Sequence, residues 1–185
     1  MNNHKYRFDS RSKDEFMSDI KRSTAIERWL VELYVEEKQK QGNNISYINN
    51  GVDNTGEFVE RATSAADYKF TINGESRLIE VKTSPIGNNT KSTFKVSSLK
   101  ANIKDGVYLL VFYNIATRSN NFKQDTDLSK VEFIIVSPYI QRQLLDTYPA
   151  KAYGKIMGGK PCIKIPAADY PSWFNFYPLY PISGG

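Results

Sequence analysis

The sequence predicts an α/β protein with a mixed central sheet flanked by helices. Three observations support this prediction. Stretches with apolar residues at helical spacing are interspersed with short alternating or continuous apolar stretches, which are typical of strands. An Asn73-Gly74 pair lies between two of the strand-like stretches and is the strongest short signal for an antiparallel hairpin. The complete order is helix, strand, hairpin, helix, strand, strand, helix.

The N-terminal region is predicted to contain two helices. Ser12 begins a capping-box pattern, which starts a short helix over residues 12–22. The same pattern recurs at Thr24 and starts a second helix, whose apolar stripe continues to about Gln41. Gly42 follows and favours the end of that second helix.

The next region is predicted to form a strand and a hairpin. Residues 45–49 are a short candidate strand, and residues 49–66 are expected to be a loop with one helical turn near Glu57. Residues 67–72 alternate polar and apolar side chains, which is the pattern of a half-buried strand. After the Asn-Gly turn, residues 77–82 form the return strand.

The second half of the chain is predicted to supply one helix and two buried strands in succession. Ser97 is expected to cap a short helix that ends at Lys104. Residues 107–113 are continuously apolar and indicate a central strand. A polar loop over residues 114–130 separates them from a second buried strand over residues 131–136.

The C-terminal region is predicted to contain a helix and an irregular aromatic tail. The helix begins at Ser137-Pro138 and ends before Pro149. Residues 162–165 are a candidate edge strand, and the aromatic run 173–177 is expected to pack onto the body. We expect one domain over residues 1–185, with its core at about 24–136 and with the helix 12–22 and the tail 150–185 as elaborations.

Composition excludes several classes of protein. Hydrophobic residues make up 40% of the 185 residues and charged residues 24%, which is ordinary for a globular chain. No apolar run is long enough for a membrane helix, no signal-peptide stretch is present at the start, and Cys162 is the only cysteine. These features predict a cytoplasmic protein with no membrane partner. His4 is the only histidine, which argues against histidine-metal nucleases, zinc hydrolases and Ser-His-Asp triads.

The net charge of +5 is unevenly distributed along the chain. Residues 81–104 contain five lysines and no acidic residue. Residues 138–168 contain five basic residues and one acidic residue, Asp146. Two one-sided basic stretches favour a polyanionic partner, although a solvated face of a basic protein would give the same pattern.

The predicted hairpin brings chemically active side chains together. Residues of equal parity share a face of a strand, so Glu80 and Lys82 point one way while their neighbours point into the core. A two-residue turn places Asp67 opposite Glu80, and a four-residue loop places it opposite Lys82. In either register the two carboxylates and the lysine share one face. Paired carboxylates repel one another and, as hard oxygen donors, suit Mg²⁺, beside which a lysine can orient an attacking water.

These residues resemble the motif of the PD-(D/E)XK nuclease superfamily. The matching residues are Ala66-Asp67, Glu80-Val81-Lys82 and, on the preceding helix, Glu27; Ala66 stands where the motif has proline. The resemblance covers about residues 24–113. It implies a restriction-endonuclease-like αβββαβ core and a Mg²⁺-dependent DNA endonuclease of restriction or phage type.

The resemblance also implies roles for individual residues. Asp67, Glu80 and the backbone carbonyl of Val81 would hold Mg²⁺, which Mn²⁺ could replace, and Lys82 would position the water. Glu27 would belong to the catalytic set, although its capping-box position also allows a purely structural role. A homodimer on a two-fold DNA site would cut both strands. The lysines expected to contact DNA are Lys91, Lys95, Lys100 and Lys104.

Three alternatives to this function remain open at the level of sequence. A protein with the same fold could bind nucleic acid or act in assembly without catalysis. A structure-specific nuclease could resolve DNA junctions. An unrelated two-carboxylate hydrolase, such as a glycosidase, would place its carboxylates across an aromatic cleft, whereas here they are paired with a lysine.

Overall fold

The computed structural model describes residues 12–49, 66–87, 93–153 and 159–181. These ranges form a mixed sheet flanked by helices, which confirms the predicted α/β class. The helices are α1 (Lys13–Lys40), α2 (Val96–Asp105), α3 (Phe122–Asp125), α4 (Pro138–Thr147) and α5 (Tyr170–Trp173). The strands are β1 (Ile45–Asn49), β2 (Tyr68–Ile72), β3 (Glu75–Pro85), β4 (Thr93–Lys95), β5 (Val107–Ile115), β6 (Glu132–Val136), β7 (Cys162–Lys164) and β8 (Tyr177–Pro178).

Helix α1 is continuous over 28 residues, so the expected boundary between residues 22 and 24 is wrong. Ser12 does cap the helix, since its hydroxyl accepts a 3.1 Å hydrogen bond from the backbone N–H of Glu15. Thr24 starts no second helix because no glycine or proline precedes it and its backbone is already helical. Glu27 is therefore not a capping-box residue, and its predicted structural role does not apply.

The main sheet of the described residues has the order β1-β2-β3-β5-β6-β8. Strands β1, β2 and β3 form an antiparallel meander, and α2 leads from β3 to β5, which is parallel to β3. Strands β6 and β8 extend the sheet antiparallel beyond β5. Alternate residues of β5 enter two cores: Leu110 and Phe112 pack under α1, while Leu109 and Val111 pack under α2 and α4.

The hairpin has the predicted two-residue turn. Asn73 and Gly74 both have positive φ, 51° and 90°, as a type I′ turn requires. Ile72 pairs with Glu75, and the ladder continues to Tyr68 opposite Ile79. The alternative four-residue loop is thereby excluded.

Local details of the second half differ from the prediction. Strand β4 lies in a segment expected to be a loop, and it pairs with β7, which is the predicted edge strand at 162–164. The N-cap of α2 is Lys95, so the expected capping role of Ser97 is wrong: Ser97 already lies within the first turn. The expected loop 114–130 contains α3 and a 3₁₀ turn over Leu128–Lys130. Ser137 caps α4 as predicted.

The aromatic tail packs onto the body as expected. The indole N–H of Trp173 donates a 2.8 Å hydrogen bond to the hydroxyl of Tyr148, and the Phe176 ring lies 5.1 Å from that of Tyr113. Most of the expected loop 49–66 lies outside the described residues. No helix in the described ranges is long and apolar enough to cross a membrane.

Candidate active site

A cleft of about 400 Å³ opens between the N-terminal half of α1, strand β3 and the β4–α2 segment. Its lining is mostly polar and combines carboxylates, lysines, hydroxyls and one amide. The charged residues that line it are Asp19, Glu27, Glu80, Lys82 and Lys95, and the polar ones include Ser23, Thr24, Thr93, Ser98 and Asn102. Acidic and basic groups therefore meet in the cleft between β3 and the segment that connects β3 to β5.

Strand parity places the two central residues of this cleft as predicted. Ile79 and Val81 are buried in the core beneath α1. Glu80 and Lys82 project from the other face of β3 into the cleft and form an ion pair of 2.8 Å between Oε1 and Nζ. The Glu80 side chain is 16% exposed and that of Lys82 is 41% exposed. The carboxylate is thus held close to the protein while the lysine reaches solvent.

Asp67 lies in a bend just before β2, beside the cleft. The paired ladder ends at Tyr68, so Asp67 is not a ladder partner of Glu80. Its Oδ2 instead accepts a 2.9 Å hydrogen bond from the backbone N–H of Val81. In a strand the N–H and C=O of one residue point to the same side, so the Val81 carbonyl is directed towards Asp67.

Glu27 reaches the same cluster from α1. Burial raises the pKa of Glu27 from 4.5 to about 8; the negative charges of Asp67 and Glu80 add to this effect, and Lys82 opposes it. Burial also raises the pKa of Asp67, although Lys82 and the Val81 N–H act in the opposite direction. In both residues burial shifts the equilibrium towards the neutral carboxyl form, and the neighbouring carboxylates add to that shift.

The same negative charges favour the charged form of Lys82, whereas they disfavour the charged form of the carboxyl groups. Burial disfavours its ammonium form, but Glu80, followed by Asp67 and Glu27, outweighs burial and raises the pKa of Lys82. Three carboxylates and one ammonium therefore interact as one electrostatic unit with a surplus of negative charge. Such a unit either retains a proton or attracts a cation.

The donor chemistry of this unit fits a hard divalent cation, because all of its ligating atoms are oxygens and two carboxyl groups have raised pKa values. The carboxylate oxygens are not, however, already arranged around one metal position among the described residues. In the part of the chain that the structure describes, no three acidic, histidine or cysteine side chains are grouped as a metal site. Glu80 is engaged by Lys82 and one oxygen of Asp67 by Val81.

Asn102 is a cleft residue that the sequence interpretation missed. It is 4% exposed and lines the cleft, yet its Nδ2 has no hydrogen-bond partner among the described residues. A buried amide donor without an acceptor costs about 1–3 kcal/mol, so its retention calls for an explanation. The available signal was a polar residue at a core-facing position of α2, four residues after Ser98.

The predicted DNA-contacting lysines do not lie together. Lys95 lines the cleft. Lys100 and Lys104 are exposed, and each lies two positions from Asn102 on α2, about 160° around the helix axis. They therefore face away from the cleft. Lys91 lies outside the described residues.

Comparison with known proteins gives no family for this chain. No model of a known protein family matches it, and a search of curated proteins finds no significant similarity. Function must therefore be inferred from the cleft and from the order of the elements around it.

Proposed function

We propose that this protein is a Mg²⁺-dependent DNA endonuclease of restriction or phage type. The observation that carries the proposal is the convergence of Glu27, Asp67 and Glu80 on Lys82 beside one polar cleft. Carboxylates enclosed together repel one another, and here the ammonium of Lys82 lies among them. A positive charge near the attacking water also assists phosphodiester hydrolysis.

The order of the elements supports the proposal. With the short strand β4 counted as an insertion between β3 and α2, the elements from α1 to β5 have the order αβββαβ, which the sequence resemblance implies for a restriction-endonuclease-like core. Glu80 and Lys82 lie on the third strand of this series, next to the parallel strand β5. Asp67 immediately precedes the second strand, close to where the same motif would place it.

Asp67, Glu80 and the carbonyl of Val81 are the groups that would hold Mg²⁺ or Mn²⁺. When bound, the ion would activate a water and neutralise charge on the phosphate. The Val81 carbonyl is directed to the side on which Asp67 lies, as its N–H shows by donating to Oδ2. A bound ion would lower the pKa of Glu27, because it would offset the charges of Asp67 and Glu80 that add to the effect of burial.

Lys82 acts in this proposal as a cation and not as a base. Its raised pKa keeps the ammonium protonated at neutral pH, so its N–H groups can orient the attacking water or contact the phosphate. On the opposite wall, the Nδ2 of Asn102 and the side chain of Lys95 offer donors to phosphate oxygens. One such cleft cuts one strand, so double-strand cleavage would require a homodimer about a two-fold axis.

A second candidate is a nucleic-acid-binding or assembly protein on the same fold that does not catalyse hydrolysis. The ion pair between Glu80 and Lys82 favours this alternative, because it satisfies both charges without a metal. The two candidates differ in their affinity for metal.

Incubation of supercoiled plasmid with the protein tests the proposal. We expect nicked and linear DNA with Mg²⁺ or Mn²⁺, no cleavage with EDTA, and no cleavage by Glu80→Gln, which preserves the size of the side chain. Sequencing of the ends distinguishes restriction-type cutting from nonspecific cutting, and a four-way junction substrate tests junction resolution. Absence of cleavage, together with absence of heat on calorimetric titration of either ion with and without DNA, would leave the binding protein.

A further inference from the structure

A small two-stranded sheet borders the cleft and carries basic residues in addition to Lys95. Strands β4 and β7 pair antiparallel, with Thr93 opposite Lys164 and Lys95 opposite Cys162. Lys151 then pairs with Cys162 from the other side through two backbone hydrogen bonds of 2.8 Å. We refer to β4, β7 and Lys151 as the ribbon.

The ribbon has one core face and one basic face. Phe94 and Ile163 are opposite one another and are buried in the core under α2 and α4. Residues directly opposite in an antiparallel pair share a face, so Lys95, Lys164 and Lys151 belong to the other face, which also contains the buried Cys162. Lys151 and Lys164 are both exposed.

The ring of Tyr153 lies near both of these lysines. The Nζ of Lys151 lies 5.6 Å from the centre of the Tyr153 ring, and the Nζ of Lys164 lies 6.0 Å from it. Neither lysine forms an ion pair within the described residues. The sequence contains no acidic residue between Asp146 and Asp169. The two ammonium groups are therefore positioned by a ring and not neutralised by a carboxylate.

The basic face of the ribbon leads into the cleft, because Thr93 and Lys95 belong to both. We infer that this face binds the sugar-phosphate backbone of duplex DNA next to the phosphate in the cleft, with Lys151 and Lys164 as the principal contacts. This inference rests on the proposed function. Two ammonium groups lie near the Tyr153 ring, which favours backbone contact over base stacking on that ring.

The ribbon thus replaces Lys100 and Lys104 as the expected DNA footprint. Those lysines lie on the side of α2 that faces away from the cleft, whereas the ribbon lysines extend from its rim. Both pairs consist of exposed lysines, so their substitution changes the net charge equally. Position is then the only variable between the two double variants.

The test compares Lys151→Gln/Lys164→Gln with Lys100→Gln/Lys104→Gln in binding to a duplex of fixed length in EDTA, across a salt series. Each phosphate contact contributes about 0.9 to the slope of log affinity against log salt. We expect the ribbon variant to lower the magnitude of that slope by about 1.8 and the α2 variant to lower it less. Thermal melting checks that both variants are folded.

The outcomes separate this inference from the proposed function. If the wild-type protein binds and cuts DNA while the ribbon variant keeps the wild-type slope, the ribbon inference is overturned and the nuclease stands. If the ribbon variant loses slope but the wild-type protein never cuts with Mg²⁺ or Mn²⁺, the ribbon stands and the nuclease is overturned. If the α2 variant loses more slope than the ribbon variant, the footprint lies on α2 and the inference is overturned.

Discussion

The Oδ2 atom of Asp67 accepts a 2.9 Å hydrogen bond from the backbone N–H of Val81, the residue between Glu80 and Lys82. This bond joins the start of β2 to β3 at the point where the paired ladder has ended. It fixes the position of one carboxylate relative to the other two charged groups. The bond engages Oδ2, so Oδ1 is the oxygen that the proposed cation would contact.

Asp67→Asn separates the charge of this residue from its hydrogen bond. The amide oxygen can still accept from Val81, but the negative charge that a divalent cation requires is lost. We expect at least a 100-fold loss of cleavage with an unchanged or raised melting temperature, because a repelling charge has been removed. Asp67→Ala is the control, since it loses both features. Near wild-type cleavage by Asp67→Asn would show that the residue is not a ligand.

Lys82→Ala should abolish cleavage without abolishing metal binding. The ammonium forms an ion pair with Glu80, and its removal frees that carboxylate for an ion. Calorimetric titration should therefore show Mg²⁺ affinity equal to or above that of the wild-type protein, while plasmid cleavage is lost. Glu80→Ala is the matched variant and should lose both. A Lys82→Ala protein that still cuts would exclude the lysine from the reaction.

Mg²⁺ or Mn²⁺ should stabilise the fold by mass action, since the unfolded chain does not hold the carboxylates together. At a metal concentration 100 times the dissociation constant the gain is about 2.7 kcal/mol. We expect a rise in melting temperature that EDTA reverses and that Glu80→Ala lacks. An equal rise in that variant would place the ion elsewhere.

Asn102→Leu should raise stability and lower activity. The buried Nδ2 of Asn102 has no partner among the described residues, so an apolar side chain removes an unsatisfied donor. We expect the free energy of unfolding to rise by about 1 kcal/mol, with a loss of cleavage expressed mainly in kcat/KM. Asn102→Ala tests whether the size of leucine disturbs the core. Unchanged cleavage by both variants would remove the amide from the cleft chemistry.

The local parts of the site were predictable from the sequence. The Asn73-Gly74 turn fixes the register of the hairpin, and strand parity then places Glu80 and Lys82 on one face. Both inferences use only neighbouring residues. The bond from Asp67 to Val81 was not predictable because it depends on where the ladder ends, which the alternation of side chains does not encode.

The errors arose where distant segments decide the outcome. The capping-box pattern at Thr24 is present in the sequence, but it lies inside the continuous helix α1. The orientation of Lys100 depends on which side of α2 meets the core. The ribbon requires two segments about 70 residues apart to pair; the sequence predicts residues 162–165 as an edge strand, but the loop-like composition around β4 gives no sign of its partner.

The stability of the metal-free protein should fall as the pH rises from about 4.5 to about 8, and Glu27 is the main reason. Burial, together with the charges of Asp67 and Glu80, raises the pKa of Glu27 from 4.5 to about 8 in the folded state. Within that window the folded protein keeps a proton that the unfolded chain releases, so the free energy of unfolding decreases with rising pH. The raised pKa of Asp67 acts in the same direction.

Glu27→Gln isolates this effect because glutamine resembles the protonated carboxyl and does not titrate. Urea unfolding in EDTA should give similar stabilities for the two proteins near pH 5 and a more stable variant at pH 8 to 9. Since one pKa unit corresponds to about 1.4 kcal/mol, the difference should be a few kcal/mol at most. Added Mg²⁺ should narrow the difference at pH 8, because the ion compensates the charge that destabilises the wild-type protein. Parallel pH curves for the two proteins would show that Glu27 titrates as an ordinary surface carboxylate and is not part of the cluster.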